Sequence, residues 1–124
     1  HAVRLKSGRV RLGSALLPLA ALSTLTSLSA ELVGRSYGGG ILKLEPTEAN
    51  TLAVPSLATL QSWSVALQSL MPQLEKPLRG GALNDVIRQV DDALLIETLG
   101  LRKRDVRALE DARMMMFERR SARK

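Results

Sequence analysis

Cysteine is absent from this chain, and histidine occurs once, at position 1. The first absence removes any disulfide framework and excludes zinc-ribbon and zinc-finger spacings. The second makes a Ser-His-Asp triad and a histidine-based metal site implausible. An all-carboxylate magnesium site stays open, although the acidic residues are spread singly on helical faces. An initiating methionine is also missing. The start at His1 suggests a processed product or an excised piece, with His1 as a tag remnant. At 124 residues the chain is one domain or a piece of one, long enough for a modest single core.

What the chain does have is positive charge, unevenly placed. The net charge is +6, but residues 1–43 carry six Lys/Arg against one acid, and residues 102–124 carry nine against four. The centre, 44–101, holds three against seven. Two basic ends flanking an acidic middle suit a polyanionic partner better than an even surface would. Ordinary solvated faces account for the same charges about equally well.

The run "VRLKSGRVRL", Val3 to Leu12, reads as a β-hairpin with Ser7-Gly8 as a two-residue turn. The period of two puts Val3, Leu5, Val10 and Leu12 on one face and Arg4, Lys6, Arg9 and Arg11 on the other. Like charges directly opposite one another destabilise a sheet. Four cations on one face therefore call for carboxylates from elsewhere or for phosphates, the latter slightly preferred over solvated repulsion.

Residues 14–34, "SALLPLAALSTLTSLSAELVG", are strongly apolar. The run is short against the ~20 uninterrupted apolar residues of a membrane span. It also contains Pro18, five Ser/Thr between Ser23 and Ser29, and Glu31. Cleavage after Ala30 would put Leu28 where a secretory signal wants a small residue. Leu16, Leu19, Leu22, Leu25, Leu28 and Leu32 recur at three and four, which predicts one core helix with a buried stripe.

Further on, Ile41 to Leu44 alternate as a short strand, and Pro46 opens a short helix stopped before Pro55. Ser56 caps a helix with the stripe Leu57, Leu60, Trp63 or Ser64, Leu67 and Leu70/Met71. Pro72 and Pro77 are expected to break it, and Gly80-Gly81 to form a joint. A helix over 83–99 points Leu83, Val86/Ile87, Val90 and Leu94 inward, with Gly100 as its left-handed stop. The last helix, 103–121, has Val106, Leu109, Ala112 and Met116 as its stripe, with Met114 to Met116 and Phe117 as core filler. The predicted class is α+β, mainly α: an N-terminal hairpin and a short strand with about four to five helices.

The segment "GRSYGGGILKLEP" poses the functional question. A P-loop needs Lys and Ser/Thr after its glycines and then a helix, whereas here a strand follows. A dinucleotide fingerprint has separated glycines after a strand, the reverse order. Close approach remains. Without Cβ atoms, Gly38, Gly39 and Gly40 let backbone come near a phosphate, a base or another segment, beside Arg35, Tyr37 and Lys43. A tight turn packed against protein is the equally weighted alternative.

"ELVGRSYGGGILKLEPTEANTLAVP", Glu31 to Pro55, resembles the C-terminal stretch of adenine-specific DNA methyltransferases of restriction–modification systems. The tail "VDDALLIETLGLRKRDVRALEDARMMMFERR" is similar to the usual end of these proteins, so the resemblance spans roughly residues 14–124. One departure is Arg102-Lys103-Arg104 at a helix start where Ser/Thr and acids are commoner. The family's cofactor-binding glycine loop and its Asn/Asp-Pro-Pro-Tyr/Phe motif do not occur in this sequence.

The resemblance therefore implies a non-catalytic C-terminal fragment over 1–124. Residues 1–55 would hold the hairpin, apolar helix and Gly-rich loop as a target-recognition-like region, and residues 56–124 the C-terminal helices. No cofactor is expected in this chain, and S-adenosylmethionine belongs to the parent enzyme. The implied partners are duplex DNA and the catalytic methyltransferase domain, with no membrane, a cytoplasmic location, and self-association left open. Arg4, Lys6, Arg9 and Arg11 are candidate phosphate contacts, with Arg35 and Lys43 near the loop. Ser36, Tyr37 and Gly38 to Gly40 form the close-approach element. In the rival version the loop docks on the catalytic domain, or the helices form a protein-interaction module without DNA.

Overall fold

A computed structural model describes residues 10–123 of the chain. The fold is α+β and mainly α, with six helices and one antiparallel two-stranded hairpin among the described residues. In chain order these are α1 (Val10–Ala20), α2 (Thr24–Val33), β1 (Arg35–Tyr37), β2 (Ile41–Lys43), α3 (Pro46–Ala49), α4 (Leu57–Arg79), α5 (Leu83–Asp91) and α6 (Lys103–Ser121). After α5 the chain continues as a wider, π-type coil over Asp92–Thr98.

The first correction concerns the N-terminal hairpin. Val10 to Leu12, its expected second strand, belong to α1, and the rest of it, including Arg4, Lys6 and Arg9, lies outside the described residues. Continuity with the apolar run that follows decides the matter, because the helical pattern running on to Ala20 outweighs a three-residue alternation.

The second correction is that residues 14–34 form two helices bent by 78° rather than one. Pro18 removes one N–H from α1, and a tight turn from Leu19 to Leu22 follows (3.1 Å). Ser23 then turns extended and its Oγ accepts the Thr26 N–H at 3.4 Å. The buried Asp91 accepts the Thr24 N–H at 2.8 Å. These two side chains satisfy donors that a helix start leaves open. The bend splits the leucine stripe: Leu16 is buried, whereas Leu25 is 39% and Leu32 64% exposed. No single helix among the described residues is long and apolar enough to cross a membrane.

The core lies where α1 packs on α4 and α5 with its π-type extension closes over α4. Leu16, Leu60, Trp63, Leu67, Leu74, Val86, Val90, Leu94 and Val106 are buried there. Ser56 caps α4 as expected, accepting the Thr59 N–H at 3.2 Å. Pro72 and Pro77 do not break α4; both lie inside it. The carbonyls they leave without a donor, those of Gln68 and Gln73, belong to exposed residues. Gly100, at φ +72°, ends the next helix and donates its N–H to Ile96 at 3.0 Å. Leu83, expected inward, is exposed.

α6 packs along α2 and departs from its expected stripe. Val106 is buried, but so are Glu110 and Arg113, while Met115 and Phe117 are exposed rather than core filler. Glu110 is bonded by two arginines, whereas Arg113 is bonded through Nη2 and its buried Nε has no partner among the described residues. Glu110 accepts from Arg88 (2.6 Å) and Arg107 (3.1 Å), and Arg113 donates to Asn84 (2.9 Å).

Candidate functional site

The glycines form the loop of a β-hairpin. β1, a strand the sequence pattern did not reveal, pairs Arg35 with Lys43, Ser36 with Leu42 and Tyr37 with Ile41. Gly38 to Gly40 make the three-residue connection between the strands. Gly39 and Gly40 have φ of +77° and +73°, a region side chains with a Cβ rarely adopt. Gly40 also sits against the end of α6. A Cβ there would lie 3.0 Å from the Ser121 Cα and 3.4 Å from the Arg120 carbonyl oxygen. At this position the close approach is to protein backbone. Gly38 and Gly39 face open space.

Arg120 ties the hairpin down. Its guanidinium donates to both carboxylate oxygens of Glu31 on α2, at 2.9 and 2.7 Å, and to the Gly40 carbonyl. The site is thus assembled from the end of α2, the hairpin and the last turn of α6.

The structure brings Arg35 and Lys43 together across the two strands, but each has a carboxylate partner. Arg35 meets Glu48 at 2.6 Å and Lys43 meets Glu45 at 2.6 Å. The hydrogen bond that Arg35 donates to Glu48 raises the Arg35 pKa, and that from Lys43 lowers Glu45. The Lys43 Nζ lies 5.3 Å from the centre of the Tyr37 ring, which is 45% exposed. Ser36 is exposed beside them. Arg11 is not in this group. It sits exposed on α1, whose partner is α4, whereas the hairpin rests on α6.

Sequence reasoning missed the arginines at the end of α6. Arg119 and Arg123 line a hollow of about 250 Å³ with Gly34, Ser36, Leu42, Met116 and the Glu31–Arg120 pair. Both are exposed, and neither makes an ion pair among the described residues. The signal was the excess of cations in residues 102–124. Its connection to the glycine loop depends on helix packing that spans most of the chain.

A family model described as "Type II methyltransferase M.Eco57I, C-terminal domain" matches residues 1–95. The chain belongs to this family. No curated protein and no solved structure matches it significantly. The matched region contains the hairpin but stops short of α6, so Arg119, Arg120 and Arg123 lie beyond it. Of the tail that carried the resemblance, Val90 to Arg120, all but the first six residues are likewise outside the match.

Proposed function

We propose that this chain is the non-catalytic C-terminal portion of a site-specific DNA adenine-N6 methyltransferase of a restriction–modification system, and that it helps to hold and position duplex DNA. The catalytic domain, with its S-adenosylmethionine pocket, is a neighbouring region of the enzyme. Extruding an adenine from the duplex costs a few kcal/mol, and contacts to the DNA away from the reacting base offset that cost. The observation that carries this reading is the exposed hairpin, with Tyr37, Gly38 and Gly39 open and Ser36 in the hollow beside Arg119 and Arg123. An aromatic face, open backbone and two cations suit sugar–phosphate better than they suit an apolar partner. Mixed-sequence duplex should bind, and the affinity should fall steeply as salt rises. Binding that is absent, or indifferent to salt, would contradict the reading.

One feature favours a second reading, a helical protein-interaction module. A groove of about 680 Å³ runs between α2, α6 and the start of α5, with Leu83 and Phe117 exposed along it. On this reading the groove seats the catalytic domain, and duplex affinity is unchanged by Phe117→Asp.

A further inference from the structure

We infer that Arg119, in the last turn of α6, and Arg123, just past its end, both outside the region matched by the family model, form a phosphate-binding pair that completes the hairpin's DNA-facing edge. The inference rests on the DNA-holding reading above and deepens it by naming the residues and the chain segment.

The balance of charge in the hollow is the first element. Glu31, the carboxylate lining it, is already engaged by both nitrogens of Arg120 that face it. The end of α6 adds roughly half a negative elementary charge from the helix dipole. Arg119 and Arg123 add two full positive charges at the same place, so the hollow remains net cationic. Every other cation of the hairpin has a short carboxylate contact, Arg35 with Glu48 and Lys43 with Glu45. The charge left over at this edge is therefore on α6, and it can still be matched by an external anion.

The second element is rigidity. Arginine presents planar donors suited to phosphate oxygens. Arg120, between the two, is itself fixed to Glu31 and to the Gly40 carbonyl. That anchor holds the last turn of α6, with Arg119, against the hairpin, and Arg123 two residues past the helix end lines the same hollow as Ser36. A phosphodiester backbone entering the hollow beside Ser36 would meet both guanidinium groups. Free lipid headgroups offer phosphate too, but they come with acyl chains, and no exposed large apolar side chain lines this hollow, so the surface is committed to a nucleic-acid backbone.

The test compares the intact protein with R119Q/R123Q and, as a control on net charge, with K103Q at the far end of α6. Affinity for a fluorescein-labelled duplex of mixed sequence is measured across a salt series. Loss of two phosphate contacts should reduce the slope of log affinity against log salt by about 0.9 per contact. The melting temperature should be unchanged, because both side chains are exposed, and K103Q should keep the wild-type slope. A wild-type slope in R119Q/R123Q, or an equal loss in K103Q, overturns the inference while leaving the DNA-holding reading standing. Absence of duplex binding in the unmutated protein overturns both.

Discussion

Arg120 grips Glu31 with two nitrogens, Nε to Oε2 at 2.9 Å and Nη2 to Oε1 at 2.7 Å, joining α6 to α2 across 89 positions of sequence. The two side chains are only 13% and 8% exposed. A buried pair of this kind is weak evidence of net stabilisation, yet removing one member strands the other charge. Arg120→Ala should cost about 3 kcal/mol in urea unfolding. Arg120→Lys should recover only a fraction of this, since an ammonium cannot serve Glu31 bidentately and the Gly40 carbonyl as well. Replacing both residues with apolar ones should be milder than Arg120→Ala. Equal stability of Arg120→Ala and wild type would show that this pair does not hold the hairpin.

The three loop glycines should differ in a fixed order. Gly40→Ala meets both a positive φ and backbone 3.0 Å away, neither of which can move cheaply. It should destabilise by about 2–4 kcal/mol. Gly39→Ala meets only the positive φ in open space, for about 1–2 kcal/mol. Gly38 has neither problem, and Gly38→Ala should stabilise by about 0.4–1 kcal/mol through the unfolded chain. Thermal melts check the order. Duplex titrations on the same variants separate packing from recognition: a folded Gly38→Ala protein with weakened DNA affinity would put this backbone at the DNA.

Two buried carboxyls should give opposite pH dependences. Burial pushes Asp91 above its ordinary value, against the hydrogen bond from the Thr24 N–H. An acid that holds its proton more tightly when folded stabilises the fold below its unfolded pKa and loses that contribution as pH rises through the folded one. Burial also acts to raise Glu110, but hydrogen bonds from Arg88 and Arg107 outweigh it and hold Glu110 low. Its contribution is present above the unfolded pKa and is lost as pH falls through the folded one. Asp91→Asn keeps an acceptor for the Thr24 N–H and should match or exceed wild-type stability at neutral pH. Glu110→Gln should lose about 1–3 kcal/mol there. Both differences should shrink in acid, which denaturant melts at neutral and acidic pH would show.

Local chemistry made much of the fold legible in the sequence. Ser56 caps α4, Gly100 stops the helix before α6, and β2 follows the alternation after Gly40. What was hidden depends on distant partners. Pro18 and the Ser23 cap lie within residues 14–34, but the break is also held by Asp91, which binds Thr24 from 67 positions away and is in no window around that run. Pro72 and Pro77 stay within α4, where the carbonyls they orphan belong to exposed residues, a matter of position on the helix rather than composition. Glu110 and Arg113 occupy buried positions of α6 that an apolar stripe would have claimed.

The candidate site divides the same way. The glycine hairpin was visible as a peculiarity, and Arg35 and Lys43 do lie beside it. Their partners Glu48 and Glu45 lie close in sequence, yet pairing depends on how α3 folds back. Arg119, Arg120 and Arg123 are legible in the sequence only as members of a basic tail. Their place at the hairpin follows from α6 lying along α2 and ending at Gly40.

The most direct test of the DNA-holding account is an NMR titration of mixed-sequence duplex into the isotope-labelled protein, following backbone amides and arginine Nε signals. The account predicts that the largest changes fall on Ser36 to Gly39 and on the side chains of Arg119 and Arg123, and that they fade as salt is raised. Changes confined to the groove lined by Leu83 and Phe117, or no changes at any salt, would contradict it.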